Sequence, residues 1–155
     1  MPTIGPSFWK MDMKFLIAVD GSKASEAAVK YTVSLFKNTK CENHITLITV
    51  QDDTSLKLFK KYTQKGAVDD YLREGADTHL AWAIRFLNKA NVAHDMAIKF
   101  GHPSVQILKE AKAGGFDMII MGTKGLFAWG DTLMGSVAHR VASASKVPVL
   151  LIQPW

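Results

Sequence analysis

The 155-residue chain has a single cysteine, Cys41, so no disulfide can form within it. A reducing, cytoplasmic compartment is the simplest expectation. No stretch reaches the about 18 consecutive apolar residues that a membrane-spanning helix needs. The first residues, Met1-Pro2-Thr3-Ile4-Gly5-Pro6-Ser7-Phe8-Trp9-Lys10, lack a basic segment followed by an apolar one and read as no secretory signal. Neither the P-loop pattern G-x-x-x-x-G-K-[ST] nor the dinucleotide pattern G-x-G-x-x-G occurs, and there is no G-x-S-x-G nucleophile elbow. The histidines His44, His79, His94, His102 and His139 show no ligand spacing with one another or with Cys41, so no metal site is expected. Charge of one sign is not concentrated either. Residues 1–75 carry 11 basic and 9 acidic side chains and residues 76–155 carry 8 and 5, so the net +5 is diffuse. That argues for solubility and against a nucleic-acid partner.

What is present is an ordinary globular composition, 48% apolar and 21% charged. A chain of this length makes one domain that buries roughly 68–70% of its unfolded surface without a metal or disulfide. Residues 1–13 read as an irregular arm, and 14–155 as the domain. Short runs rich in Ile, Val and Leu lie at 15–19, 45–50, 96–100, 118–121 and 147–152. They are continuous rather than alternating, as strands buried on both faces are. Between them lie segments with helical spacing. Ser22 is a candidate N-cap, followed by Val29, Val33 and Phe36. Leu80, Ala83, Ile84 and Leu87 form a stripe in a helix over about 76–91. Pro103 suits a first helical position, with Gly114-Gly115 at the far end of that helix. Ser136 opens a last helix containing Val137, Arg140 and Val141. The connection from Gln51 to about Gly75 has mixed charge, with Lys57, Lys60, Lys61 and Lys65 on one helical face, and reads as solvated surface. The expectation is an α/β fold: five parallel strands in one sheet, two helices on each face.

In such a sheet ligands bind beyond the carboxyl ends of the strands. Asp20-Gly21-Ser22 follows the first strand, Gln51-Asp52 the second, and Gly101-His102-Pro103 the third. After the fourth comes Gly122-Thr123-Lys124-Gly125 and then, nine residues on, Gly135-Ser136 opening a helix. Glycines let backbone N–H groups close on an anion, and a helix N-terminus adds unpaired donors and the positive end of its dipole. Thr123 and Ser136 add hydroxyls, and Lys124 a charge. The competing reading is that Gly122 and Gly125 serve only a tight strand-to-helix turn.

The pattern Gly122-x2-Gly125-x9-Gly135-Ser136 resembles the signature of the ATP-binding branch of the universal stress protein family. The resemblance extends from Lys14 to Gln153, through Ile17-Ala18-Val19-Asp20-Gly21-Ser22, the strand ending in Val50, Gly101-His102-Pro103, the stretch 116–123 and Val147-Pro148-Val149-Leu150. It implies strand order 3-2-1-4-5, with the last strand at a sheet edge and a homodimer formed through residues 147–152. It also implies an adenine nucleotide, ATP or AMP, with Mg2+ bridged by Asp20 as an option. Asp20 would lie beside the adenosine portion, with Ala18 nearby, and the backbone of Val50 would face the adenine edge. Gly122, Thr123, Lys124 and Gly125 would line ribose and phosphates, while Gly135, Ser136 and Val137 would hold phosphate by main-chain N–H groups. Three positions depart from relatives: Ala18 stands where some have Pro, Lys124 where many have His, and Leu126 where many have Arg. The loop 126–130 is unusually aromatic and would cover a ligand or pack on a partner subunit.

The function expected is therefore that of a nucleotide-sensing regulator of a stress response, reading out to a protein partner. The residues offer no constellation recognisable as an active site. Two alternatives stand: a slow ATPase or nucleotidyl-transfer enzyme on the same fold, and an interaction protein that binds no nucleotide.

Overall fold

A computed structural model describes residues 12–37, 42–53, 66–125 and 134–154. The expected arm about Phe8-Trp9, the lysines 57–65 and the aromatic loop 126–130 lie outside the described residues. Five strands alternate with four helices: β1 (Lys14–Ala18), α1 (Lys23–Phe36), β2 (His44–Gln51), α2 (Ala67–Lys89), β3 (His94–Phe100), α3 (Pro103–Ala113), β4 (Met118–Gly122), α4 (Ser136–Ala144) and β5 (Val149–Ile152). All pairings are parallel, in the order β3-β2-β1-β4-β5.

The period-two alternation of a strand divides the sheet's side chains between two cores. Phe15, Ile17, Ile45, Leu47 and Ile120 pack with Val29, Val33, Leu80 and Leu87 of α1 and α2. Leu16, Ile48, Ile119 and Met121 pack on the other face with Ile107 and Ala111 of α3 and Ala138 and Val141 of α4. Two helices therefore cover each face, and the central strands are apolar throughout because both of their sides are buried.

Local chemistry sets most element ends where the sequence puts them. The Ser22 hydroxyl caps α1 by accepting from the N–H of Ser25 at 3.1 Å. Pro103 begins α3, where its missing N–H would have had no helical partner, and Gly114 ends it, followed by Gly115 in the left-handed region.

Three expectations are corrected. α2 begins at Ala67, more than two turns earlier than the stripe at Leu80 suggests, because Leu72 and Ala76 extend the same buried face. Charged Asp69, Asp70, Arg73 and Glu74 disguise those two turns, and Gly75 interrupts them. A Cβ at Gly75 would come within 2.9 Å of Gln51 Oε1, so a side chain there would displace the Gln51 amide at the end of β2. Second, β3 is an edge strand rather than one buried on both sides: Met96, Ile98 and Phe100 are exposed. It has a neighbour on one side alone, and α2 packs over β2. Third, β5 starts at Val149 instead of Val147. Val147 is held in a turn by Ser145, whose Oγ donates to its carbonyl at 2.6 Å and accepts its N–H at 3.0 Å.

Ile120 is fully buried in register with Ile17 at the centre of the sheet. Ile120→Ala is expected to lower unfolding free energy by about 2–5 kcal/mol through the cavity it leaves. Ser22→Ala should cost about 1 kcal/mol by removing the cap of α1. Urea unfolding followed by circular dichroism measures both.

Candidate functional site

β1 and β4 are neighbours, yet the chain leaves them in opposite directions, β1 towards α1 on one face and β4 towards α4 on the other. A crevice must open where the two connections part. A cleft of about 1050 Å³ occupies this place, and all ten candidate residues line it: Ala18, Asp20, Val50, Gly122, Thr123, Lys124, Gly125, Gly135, Ser136 and Val137.

The floor is apolar. Ala18, Ile48, Val50, Ile107 and Met121 belong to the core on the α3/α4 face and reach the cleft from below. The rim is polar and is stitched together by the two central loops. The Ser22 N–H donates to Asp20 Oδ1 at 2.9 Å, and the Ser22 hydroxyl donates to the Lys124 carbonyl at 3.4 Å. Gly21, with φ of 80°, makes the turn between them. The Gly135 N–H donates to the Thr123 carbonyl at 2.6 Å, and the Thr123 N–H to the Ile152 carbonyl at 2.9 Å.

These approaches are close enough to require missing side chains. A Cβ at Gly122 would sit 2.5 Å from the Ala24 Cβ and 2.7 Å from its carbonyl carbon. One at Gly125 would sit 2.6 Å from Asp20 Oδ2. The turn reading of Gly122 is thus true in part: that glycine lets β4 pass α1. Gly125 instead keeps the Asp20 carboxylate beside the β4 loop.

The cleft end of α4 is open to an anion. Gly135 occupies the N-cap in extended geometry and offers no side chain, so no side-chain cap serves the first-turn N–H groups. Ser136, Val137 and Ala138 of that turn line the cleft. Beside them Thr123 Oγ1 is buried and, among the described residues, without a hydrogen-bond partner. A buried hydroxyl left unmatched costs about 1–3 kcal/mol, a cost that a ligand oxygen at this position removes. Glycine cradle, uncapped helix and orphaned hydroxyl together fit a phosphate group. Lys124 stands on the same loop.

The sequence reading missed the wall contributed by α2. Tyr71, Glu74, Gly75 and Thr78 lie at three- and four-residue spacing along one helical face and line the cleft. His79 follows, its Nδ1 3.0 Å from Gln51 Nε2. His102 is a second lining histidine. Arg140 Nη1 donates to its Nε2 at 2.9 Å, so Nδ1 carries the proton and donates to Ser104 Oγ at 3.0 Å. The other three histidines do not line the cleft. Only helical phase could have put His79 on the same face as Gly75. Among the described residues no group of three or more His, Cys, Asp or Glu is arranged to hold a metal ion, and no helix is long and apolar enough to cross a membrane. Asp131, within the β4–α4 connection, lies outside the described residues.

Known proteins resemble this chain over about nine-tenths of its length. Universal stress protein YxiE of Bacillus subtilis is 28% identical over 149 residues, covering 90% of this chain and 98% of its own. Universal stress protein MJ0577 of Methanocaldococcus jannaschii is 29% identical over 157 residues, covering 92% and 96%. Its solved structure superposes with a TM-score of 0.80 over 92% of this chain and 96% of its own. A family protein from Arabidopsis thaliana, solved with AMP bound, has the same fold at 18% identity, with a TM-score of 0.68 and 92% of each chain covered. The family model described as the universal stress protein family matches residues 11–153. The chain belongs to the universal stress protein family.

Proposed function

We propose that the chain binds an adenine nucleotide, ATP or AMP, in the cleft between β1 and β4 and serves as a nucleotide-sensing regulator of a stress response. The observation that carries this reading is the uncapped α4 N-terminus beside the buried, unpartnered Thr123 hydroxyl, at the end of an apolar floor. A base lies against Ala18 and the backbone of Val50, and the ribose passes Asp20. Phosphates meet Gly122, Thr123, Lys124 and Gly125, and then the N–H groups of Ser136 and Val137; the N–H of Gly135, expected from the sequence to hold phosphate as well, is instead taken up by the Thr123 carbonyl. The Arabidopsis relative with AMP and a family member solved in complex with cAMP support the ligand class. A homodimer through residues 147–152 and a cytoplasmic site of action complete the proposal.

Nucleotide held here adds interactions to both central loops, and a partner protein reads the altered surface. A second reading, slow ATP hydrolysis, is favoured by one observation: the Asp20 carboxylate lines the cleft beside Gly125, where a single carboxylate can share Mg2+ with phosphate oxygens. Steady phosphate release that disappears in Asp20→Ala selects that reading; its absence leaves a binding protein.

Three outcomes are expected. Calorimetry should detect ATP or AMP binding, and Gly135→Val should abolish it, because a side chain there meets the Thr123 carbonyl, 3.3 Å from a Cβ, and blocks the helix N-terminus. Thr123→Val should weaken binding about tenfold while leaving the unfolding midpoint unchanged or raised, since it removes an orphaned polar atom. Saturating nucleotide should slow amide exchange at residues 122–125 and 135–138. Unchanged exchange there, or no heat with ATP, ADP or AMP, overturns the proposal.

A further inference from the structure

Among the described residues the sheet has two open edges, and that of β3 is the longer, seven residues against four in β5. The Gly101 N–H donates to the Gln51 carbonyl at 3.0 Å, with Phe100 in register with Gln51. In a parallel ladder alternate residues turn both backbone groups to the same neighbour. Asp95, Ala97 and Lys99 therefore face β2, and Met96, Ile98 and Phe100 present their N–H and C=O groups outward. Side chains alternate in the perpendicular direction. Those of Met96, Ile98 and Phe100 lie on the α1/α2 face and are 57%, 37% and 37% exposed. Those of Asp95, Ala97 and Lys99 lie on the α3/α4 face, where Ala97 packs against the core and Lys99 Nζ pairs with Glu110 Oε2 at 2.6 Å.

We propose that β3 pairs antiparallel with β3 of a second copy of this chain, about a two-fold axis at Ala97. Every pair in this register is complementary. Met96 stands opposite the partner's Ile98, and the two exchange the outward hydrogen bonds. Asp95 stands opposite the partner's Lys99, twice by symmetry, in the narrow pairs where side chains come closest. Each Lys99 then lies between its own Glu110 and the partner's Asp95. On the opposite face the two apolar stripes join into one.

The register is specified by charge. Moving the axis one residue, to Met96 or Ile98, takes both charges out of opposition. Moving it two residues sets Asp95 against Asp95 or Lys99 against Lys99, which is destabilising. Edge charges normally keep foreign strands away; here they reject other registers and match a second copy. The pairing lies at the opposite edge from residues 147–152 and is separate from any contact made there.

The test uses the full chain with Cys41→Ser. Ala97→Cys places two thiols on Cα atoms about 4.5 Å apart across the axis, within the range of a disulfide. Mild oxidation is expected to give a covalent dimer. Adding Ile98→Pro should prevent it, because proline removes an outward N–H and none of the ladder to β2. In sedimentation velocity the chain with native Ala97 should self-associate, to a dimer where β3 alone pairs and to larger assemblies where residues 147–152 pair as well, and Asp95→Lys should raise the dissociation constant of the β3 contact about tenfold with an unchanged urea midpoint. The proposal is overturned if Ala97→Cys does not cross-link, if folded Asp95→Lys associates as tightly as the parent, or if the parent is monomeric throughout. A dimer formed through β5 alone gives the first two of these results.

Discussion

A parallel strand cannot turn back along its own edge; its chain has to cross one face of the sheet before it can rejoin the sheet in the same direction. In this protein the two most central crossings go opposite ways, from β1 over one face and from β4 over the other. That divergence opens the cleft, and the rest of the site answers to it. Gly122 lets β4 pass α1, Gly21 turns the chain into α1, and Ser22 both caps α1 and holds the β4 loop by its hydroxyl. The apolar floor is the exposed end of the core between the sheet and α3/α4. No separate machinery builds the site; it is where the sheet's own packing stops.

Much of this was legible because the residues concerned act locally. A serine before an apolar periodicity, a proline opening α3 and two glycines closing it each answer to a few neighbouring backbone groups. The order of strand-end motifs was equally readable, and all ten candidate residues line one cleft. The rest depended on position in three dimensions. The one local sign that β3 is an edge strand, Asp95 and Lys99 alternating with Met96, Ile98 and Phe100, is hidden when residues 96–100 are read as an apolar run like that of β1. The first turns of α2 carry Asp69, Asp70, Arg73, Glu74 and Gly75, a composition that reads as loop, and only Leu72 and Ala76 meeting the core make them a helix. The pairing of His79 with Gln51 joins residues 28 apart, and that of His102 with Arg140 residues 38 apart. No spacing rule reaches across such intervals.

The chemistry of the cleft also explains why composition was a poor guide to it. Its donors are main-chain N–H groups at a helix start and one buried hydroxyl, none of which enters a charge count. An anion held in this manner is recognised by shape and by oriented dipoles, with Lys124 as the one cation in the β4 loop's glycine-flanked stretch. The imidazoles of His79 and His102 each make a side-chain hydrogen bond that ties one cleft-lining element to another, His79 to Gln51 and His102 to Arg140.

The pairing of β1 with β4 has a consequence for the order of events during synthesis. Phe15 lies beside Met118, and the Lys14 N–H donates to Asp117 Oδ2 across 103 positions of chain. At ribosomal rates of about 5–20 residues per second, β1 waits roughly 5–20 seconds for its second neighbour to be made. By the end of that interval β2 and β3 have been made as well, while the flank of β1 that β4 covers is still unmatched. The cleft between β1 and β4 is thus among the last features the growing chain acquires, and it forms in the same step that closes this flank.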